Sequence, residues 1–486
     1  MAAISNIQFQ EKPYAFEDVF AKQRIAFEQN KMPSREDRIR NLDILHNAIL
    51  DNKEALISAV SRDFSNRASG ETLLAEIFPL LEGINYCRKN LKRWMKPQNR
   101  KVPMLLAPAR VRVHPQPVGV VGIVVPWNFP IFLGFSPLIY ALAAGNRAML
   151  KMSEFAPATG ELIARIMADA FPNGTVVVVT GDADVAARFT KLPFDHLVFT
   201  GSTTVGKIVM RAAAENLTPV TLELGGKSPA IIHPDFPVKE AARRIGFGKS
   251  INAGQVCVSP DYILCHESKI SEFVDEFSAE INSRYPSLVS NEDYTAIITD
   301  RQKERLEENL RDAENKGARL IEINPSAEDF NGTKKLPMTI VLNANENMKV
   351  MQEEIFGPIL PVLTYQNLQD ALRMVNEKDR PLALYYFDWD ASRANKVVEQ
   401  THSGGVCIND TMSHVLADDI PFGGIGPSGL GHYHGREGFE RFSHMKSVVR
   451  KGRINPASLV GAPWDRPIFR LMSKMHWLKF RKKSIK

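Results

Sequence analysis

The chain has 486 residues, of which 44% are hydrophobic and 24% charged, a composition that excludes global disorder. This length exceeds a single simple core and predicts two or three domains. The net charge is +6, and residues 456–486 hold eight basic residues and one acidic residue. The body of the chain is therefore nearly neutral, without the basic surface that binding to nucleic acid requires.

The first hundred residues predict helices. Apolar positions recur at helical spacing in 35–56 and in 72–94, and Ser34 predicts the N-cap of the first of these helices. The opening residues have neither the basic start nor the apolar run of a signal peptide. We therefore expect a cytoplasmic protein in which the helical pattern covers 14–100.

The stretch 113–146 contains no Asp, Glu, Lys or Arg and is long enough to span a bilayer. Pro126, Pro130 and Pro137 interrupt it, and Asn128 places a polar group near its middle. These breakers favour a buried strand, a turn and a helix over a transmembrane segment.

Short β-branched runs alternate with helical stretches from about residue 110. Such runs are typical of strands buried on both faces of a parallel sheet. They predict a doubly wound, Rossmann-like α/β domain that binds a nucleotide. The predicted elements are strands at 118–125, 148–151, 176–180 and 196–200, and helices near 137–144, at 158–170, near 185–190 and at 207–214.

A second α/β region is predicted from about 222 to 404. Its elements are strands at 229–232, 262–265, 339–342 and 359–365, with long charged helices such as 300–315 between them.

The cysteines have no CxxC or paired spacing, so we predict no disulfide framework and no metal site. Residues 254–257 read Gly-Gln-Val-Cys, and the glycine-containing turn lets a substrate approach the Cys257 thiol, whose thiolate is a strong nucleophile. A cysteine in a large protein is more often inert and buried, so this motif alone leaves both interpretations open. Cys265 and Cys407 stand in apolar, strand-like runs and are predicted to be packed side chains.

Glu223 lies in the run Thr-Leu-Glu-Leu-Gly-Gly-Lys, where an apolar strand ends in two glycines. Burial there would raise the pKa of the carboxyl group toward the working range of a general base. The alternative is a structural ion pair with Lys227, and the local sequence favours neither. Asn128, in Pro-Trp-Asn-Phe-Pro after a strand, offers an amide to a developing oxyanion, although an Asn in this setting is more often only a turn former.

These pieces together resemble the aldehyde dehydrogenase superfamily. PWNFP, LELGGKSP and GQVC occur in that family's order, as do GSTTVG, EEIFGP and IPFGGIGPSGLG, and the resemblance covers about 30–450. The run PFGGIGPSGLGHYHGREGFERFSH is most similar to the branch of class 3, fatty-aldehyde and coniferyl-aldehyde dehydrogenases. The implied reaction is NAD(P)-dependent oxidation of an aldehyde to a carboxylic acid.

The resemblance implies the catalytic roles. Cys257 attacks the aldehyde carbon to give a thiohemiacetal, and hydride transfer then gives a thioester. Asn128 and the Cys257 N–H hold the oxyanion, and Glu223 activates the water that hydrolyses the thioester. Medium- or long-chain aliphatic aldehydes and aromatic ones such as coniferaldehyde remain equally open as substrates. Phe422 and Asn409 are pocket residues by family position.

The predicted cofactor-binding turn differs from the standard dinucleotide fingerprint, because this turn contains no GxGxxG. Gly201, Ser202 and Gly206 belong to GSTTVG, between a predicted strand and a predicted helix, where free N–H groups can face a pyrophosphate. Lys151 and Glu154 lie at the end of another predicted strand. Without the family match, the sequence favours ordinary solvent-exposed side chains there.

The resemblance places further residues at the cofactor, and NAD⁺ is the expected one because a carboxylate disfavours a 2′-phosphate; NADP⁺ is the alternative. The implied contacts are Lys151 and Glu154 at the adenosine ribose, Gly181 near the adenine, and Trp127, Glu354 and Phe356 toward the nicotinamide end.

The resemblance also divides the chain. We expect helices packed on the cofactor domain in 1–100, the NAD(P)-binding domain in 101–221, the catalytic domain in 222–404, and a return to the cofactor domain with a small oligomerisation region in 405–455, in a homodimer. Residues 456–486 predict a basic amphipathic tail. Packing or disorder, peripheral membrane contact and a subunit contact are the three interpretations of this tail.

Three competing functions leave motifs unexplained. A cofactor-independent thiol esterase has no use for GSTTVG and EEIFGP, and a CoA-dependent acylating enzyme does not need Glu223 to activate water. A non-catalytic protein on the same fold predicts a lost nucleophile or base, whereas Cys257, Glu223 and Asn128 are all present.

Overall fold

The computed structural model describes residues 16–103, 106–453, 455 and 461–480. The α-helices of these residues are α1 (Phe16–Gln29), α2 (Arg35–Asp51), α3 (Lys53–Asp63), α4 (Ser69–Thr72), α5 (Phe78–Trp94), α6 (Phe132–Ala144), α7 (Pro157–Ala170), α8 (Ala183–Thr190), α9 (Thr203–Ala214), α10 (Val238–Ser250), α11 (Ile270–Arg284), α12 (Asp300–Asn315), α13 (Lys349–Gln352), α14 (Leu368–Asn376), α15 (Ala391–Gln400), α16 (Gly435–Arg441) and α17 (Pro467–Lys479). The strands are β1 (Gln98–Arg100), β2 (Ala109–Pro117), β3 (Val120–Val124), β4 (Arg147–Lys151), β5 (Val176–Val179), β6 (His196–Thr200), β7 (Val220–Glu223), β8 (Pro229–Ile232), β9 (Tyr262–His266), β10 (Arg319–Ile323), β11 (Met338–Leu342), β12 (Ile359–Tyr365), β13 (Ala383–Phe387), β14 (Gly405–Ile408), β15 (Gly429–Leu430) and β16 (Ser443–Lys451).

The first sheet has the strand order β15-β7-β6-β3-β4-β5. All neighbours are parallel except β15, which pairs antiparallel with β7. From β3 the chain builds outward through β4 and β5, then returns to the other side of β3 for β6 and β7. This reversal of direction is the switch point of a doubly wound sheet, so the predicted Rossmann-like fold is confirmed.

The second sheet has the order β10-β11-β12-β9-β8-β13-β14 and is parallel except for β10 at one edge. The four strands predicted between 229 and 365 all lie in this sheet, and α12 has the predicted bounds. The second α/β region, which was predicted from long charged helices and fully buried strands, is therefore confirmed.

The third sheet was not predicted. It is antiparallel, in the order β1-β2-β16, and the β2–β16 ladder joins nine residue pairs from Ser443↔Pro117 to Lys451↔Ala109. The helical pattern expected for 14–100 is thus wrong at its end, where residues 98–100 form β1. This strand is three residues long and exists because β2 pairs with it, which no local pattern reveals.

The N-terminal helices pack on the first sheet and its helices: α1 contacts β3 and β4, α2 contacts α6 and α7, and α3 contacts α7. Ser34 caps α2 as predicted, and its side chain exchanges hydrogen bonds with Asp37 in a capping box. The helix predicted over 72–94 is real but is interrupted by a π-helical turn, Leu73–Ile77.

The uncharged stretch 113–146 forms β3, a turn and α6, as expected. The helix begins at Phe132, earlier than predicted, and Pro137 lies inside it. Among the residues that the structure describes, no helix is long and apolar enough to cross a membrane.

Candidate active site

Cys257 lies three residues beyond a strained turn, Ile251–Gly254. Asn252 and Ala253 have φ of 51° and 50°, left-handed values that cost about 1–3 kcal/mol each in non-glycine residues. The fully buried side chain of Gln255 supports the turn, since its amide nitrogen donates to the Asn252 carbonyl at 2.9 Å. The turn is therefore held in a defined shape immediately before the cysteine.

Asn128 lies after β3 and is 3% exposed. Its side-chain nitrogen donates to the Gln255 carbonyl at 3.3 Å, and its own carbonyl accepts from Arg67 at 2.8 Å. The structure thus brings the amide proposed for the oxyanion against the turn that carries Cys257.

Glu223 ends β7 and is 3% exposed. Neither carboxyl oxygen has a hydrogen-bond partner among the described residues. Burial raises the pKa of Glu223 well above its ordinary value, against the charge of Arg441. A buried carboxyl group without partners is costly unless it serves a site, so Glu223 has the environment of a general base.

Lys227 does not pair with Glu223. Its ammonium group forms an ion pair with Asp261 and donates to the carbonyls of Val350 and Glu353 at 2.7 and 2.9 Å. The structural alternative for Glu223, an ion pair at the strand end, is therefore wrong.

The Cys257 side chain is partly exposed. Burial, followed by the charges of Glu354 and Glu223, raises its pKa to about 12. At neutral pH the side chain is a thiol, and its activation requires a base or an added positive charge.

A pocket opens on the Cys257 side chain. The empty volume of this pocket, including the solvent space at its open mouth, is about 970 Å³. Its walls are mostly apolar. Phe422 lines the pocket as expected, but Asn409 does not, because its side chain bonds the backbone N–H and carbonyl of Asp388. Aromatic and aliphatic lining residues are Phe129, Phe132, Leu133, Phe247, Ile251, Val256, Val415, Leu416 and Phe422.

The predicted cofactor residues other than Glu354 and Phe356 lie along one edge of the first sheet, which also carries the predicted base Glu223. Trp127 follows β3, Lys151 ends β4, Gly181 follows β5, Gly201 follows β6, and Glu223 ends β7. Because parallel strands end at the same edge, these side chains and turns share the carboxyl edge, where doubly wound folds bind ligands.

Lys151 is 2% exposed, and its ammonium group lies 3.8 Å from the Glu154 carboxylate. It also donates to the Met152 carbonyl at 2.7 Å, and burial lowers its pKa. Lys151 is therefore buried at the end of its strand, and it is not the solvent-exposed residue that the sequence without the family match favoured.

Ser202 caps α9, and its hydroxyl accepts from the Val205 N–H at 3.4 Å. Gly206 lies in the first turn, and a Cβ there would come within 2.7 Å of Leu224. The other N–H groups at this helix start and the positive end of the helix dipole suit an anion.

Phe356 packs edge-on against Trp127, with ring centroids 5.3 Å apart, and has a left-handed φ of 52°. Glu354 lies two residues earlier, and burial raises its pKa to about 8. A Cβ at Gly225 would fall 1.8 Å from the Glu354 carboxylate, so only glycine permits this approach.

This residue set fits a nicotinamide dinucleotide: a helix start suits the pyrophosphate, a Lys–Glu pair suits ribose hydroxyls, and all lie on one sheet edge. Fold and site together define an NAD(P)-dependent oxidoreductase.

Comparisons with known proteins identify the family. The model of the aldehyde dehydrogenase family matches residues 6–448. A protein of Pseudomonas aeruginosa named "Probable coniferyl aldehyde dehydrogenase" is 53% identical over 96% of this chain and 98% of its own. The "Coniferyl aldehyde dehydrogenase" of Pseudomonas sp. strain HR199 is 46% identical over 90% and 91%. A solved structure, "Substrate bound state of Staphylococcus Aureus AldH", is 35% identical with a TM-score of 0.88, covering 96% of this chain and 99% of that one.

The chain belongs to the aldehyde dehydrogenase family. It is an oxidoreductase that converts an aldehyde to the carboxylic acid with NAD(P)⁺.

Sequence reasoning missed the contacts that hold this site. Arg67 and Glu76 are buried, Glu71 is half-buried, and all three bond the loops of the site. The only local signal is acidic residues within the apolar run that follows Gly70, and such a run does not say what the carboxylates contact.

Proposed function

We propose that Cys257 is the nucleophile of aldehyde oxidation, Asn128 the oxyanion donor and Glu223 the base. The observation that carries this is the hydrogen bond from the Asn128 amide to the turn before Cys257, whose side chain lines the apolar pocket. The buried Glu223 carboxyl group, which has no hydrogen-bond partner among the described residues, supports its role as the base. The amide has a second N–H, which is left to donate to an oxygen on the carbon that the sulfur attacks.

The proposed steps balance on these three residues. The Cys257 sulfur bonds to the aldehyde carbon as its proton passes to solvent, which gives a thiohemiacetal oxyanion held by Asn128. NAD(P)⁺ supplies the hydride acceptor, and loss of hydride from that carbon leaves a thioester. Glu223 takes a proton from water as the water oxygen bonds to the thioester carbon. The carbon–sulfur bond then breaks and releases the acid, and the proton held by Glu223 passes to the departing thiolate, which restores both residues.

For the cofactor we propose NAD⁺ in preference to NADP⁺, because the Glu154 carboxylate repels a phosphate on the ribose. The pairing with buried Lys151 supports a fixed position for this carboxylate. Comparing kcat/KM for the two cofactors tests the preference. The residues proposed to hold the cofactor are Trp127, Lys151, Glu154, Gly181, Gly201, Ser202, Gly206, Glu354 and Phe356.

For the substrate we propose an aromatic aldehyde of the coniferaldehyde type over an aliphatic one. The names of the relatives support this, as do the four phenylalanines among the pocket walls, since rings pack well edge-on and offset. An NAD(P)H absorbance assay with coniferaldehyde, benzaldehyde and straight-chain aldehydes tests it. A higher kcat/KM for long aliphatic aldehydes would overturn the substrate class and leave the reaction intact.

We also propose the division of the chain at 100, 221, 404 and 455, and a homodimer. The nine-residue strand β16 supports the dimer: it is the edge of the third sheet in the described chain and exposes Val449. Light scattering after size exclusion measures the oligomeric state.

For localisation we propose the cytoplasm, with peripheral membrane contact through the C-terminal segment. Part of that segment, 456–460 and 481–486, lies outside the described residues. Within α17, no residue whose burial is described is buried, and Leu471, Met475 and Leu478 are exposed beside Arg470 and Lys474. Packing within the chain therefore does not explain this helix, and its basic and apolar character suits an anionic bilayer surface.

A further inference from the structure

Arg67 and Glu76 form an ion pair in which both side chains are fully buried, with Nη1 and Oε1 3.2 Å apart. A buried ion pair adds little net stability compared with apolar residues of similar size. Its position therefore calls for another explanation, and the bonds that the two side chains make to the active-site loop provide one.

Arg67 holds the backbone at Asn128. Its Nη1 donates to the Asn128 carbonyl at 2.8 Å, and its guanidinium lies over the Phe129 ring, 4.6 Å from the centroid. The Nε and Nη2 groups have no hydrogen-bond partner in the described part of the chain. Among the described residues, the side-chain hydrogen bond of this buried cation thus goes to the residue that carries the oxyanion amide, and its charge pairs with Glu76.

Glu76 holds the same loop a few residues further on. Its Oε2 accepts from the N–H groups of Ile131 and Phe132 at 2.8 and 3.0 Å, where α6 begins. The pair therefore fixes the loop from Asn128 to the first turn of the helix.

The segment 67–76, which contains Arg67 and Glu76, also holds the turn before Cys257. Glu71 accepts from the Asn252 N–H at 3.1 Å and from the Thr295 hydroxyl at 2.5 Å. The Asn252 side chain donates to the Asn128 carbonyl at 3.3 Å. One carbonyl, that of Asn128, is thus shared by Arg67 and by the strained turn, so the two loops of the site are tied at this point.

We propose that Arg67 is a positioning residue for aldehyde oxidation, which acts by fixing Asn128 so that its amide stays directed at the Cys257 turn. This rests on the proposed catalytic roles of Asn128 and Cys257. It also gives the N-terminal segment a part in the reaction, although that segment supplies none of the reacting groups.

The test is a double-mutant cycle of Arg67→Lys and Asn128→Ala, measured as kcat with NAD⁺ and coniferaldehyde, well below the melting temperature of every variant. Lysine keeps a cation for Glu76 but loses the planar guanidinium, which packs over Phe129 and holds Nη1 between Glu76 and the Asn128 carbonyl. We expect Arg67→Lys to lower kcat roughly 10- to 100-fold, the size of effect of small misplacements in active sites, with the dissociation constant of NAD⁺ within about twofold.

In the Asn128→Ala background, Arg67→Lys is expected to lower kcat by less than about twofold, because its effect passes through the missing amide. The positioning role is overturned if the fold losses in kcat of the two single variants multiply fully in the double variant. It is also overturned if Arg67→Lys leaves kcat unchanged. If Asn128→Ala itself leaves kcat unchanged, the proposed function fails first, so the two failures are distinguishable.

Arg38 is the matched control. It is 1% exposed and donates to the carbonyls of Ala143 and Ala144 at the far end of α6. Arg38→Lys should lower the melting temperature while kcat stays within about twofold; an equal loss of kcat would make the Arg67 effect one of general packing and overturn the proposal. If Arg67→Lys does not fold, the variant Arg67→Met/Glu76→Gln, which leaves no unpaired buried charge, takes its place in the same cycle.

Discussion

The side-chain amide of Asn128 donates to the backbone carbonyl of Gln255, two residues before Cys257, over 3.3 Å. These residues come from different sheets, since Asn128 follows β3 of the first and Gln255 lies before β9 of the second. The hydrogen bond therefore fixes the turn before Cys257 against the carboxyl edge of the first sheet. Transfer between a substrate at the proposed nucleophile and a dinucleotide at that edge requires such a fixed arrangement.

Glu223→Gln should lower steady-state turnover by about 100-fold or more, because the amide cannot take a proton from water. The first turnover should survive, since it precedes hydrolysis. Stopped-flow absorbance is expected to show a burst of about one NADH per active site, with acyl-enzyme seen by mass spectrometry. A variant with an unchanged steady-state rate and no burst would remove Glu223 from the reaction.

Glu354→Gln should lower the pKa of Cys257, because the Glu354 charge is one of the causes that raise it. The pKa of Glu354 is itself raised to about 8, so its carboxylate repels the thiolate mainly above that pH. Alkylation of Cys257 by iodoacetamide without cofactor, followed by mass spectrometry of its peptide, should be several-fold faster in the variant between pH 8 and 10. Exposed Glu353 offers the control Glu353→Gln, and equal rates in the two variants would refute the assigned effect.

Glu154→Gln should raise the ratio of kcat/KM for NADP⁺ to that for NAD⁺ by roughly tenfold, since a like charge near the ribose is removed. Steady-state kinetics with both cofactors measure the ratio, and Glu161→Gln on the exposed face of α7 is the control. A wild-type enzyme that already prefers NADP⁺, or a ratio that does not change, would show that Glu154 does not select the cofactor.

Removal of residues 456–486 should abolish binding to vesicles that contain phosphatidylserine while kcat is kept. Flotation with anionic and neutral vesicles measures this, and the intact protein is expected to float with the anionic ones only. Binding that does not depend on the tail, or no binding by either form, would dismiss the membrane proposal.

Much of the fold followed from local patterns. The strands at 196–200, 229–232 and 359–365 and the helix at 300–315 have the predicted bounds, because fully buried parallel strands and a charged amphipathic helix each carry a clear signal. The catalytic roles, in contrast, were implied by the resemblance to the aldehyde dehydrogenase superfamily, because the local sequence around Cys257, Glu223 or Asn128 alone left each role open.

The start of α6 shows what a local pattern cannot give. Pro137 suggested a helix beginning there, but the helix begins at Phe132, where the distant Glu76 carboxylate satisfies the free N–H groups. The third sheet escaped prediction for the same reason, since β1 and β16 depend on pairing with β2. Contacts between residues far apart in the chain decided both.

The most direct test of the account is the turnover of Cys257→Ala, with Cys265→Ala as the matched control because Cys265 is fully buried in β9. NADH formation with coniferaldehyde should fall by at least about a thousandfold in Cys257→Ala, while NAD⁺ binding followed by fluorescence stays within about twofold and Cys265→Ala remains active. Turnover in Cys257→Ala comparable to that of Cys265→Ala would contradict the role of Cys257 and the chemistry built on it.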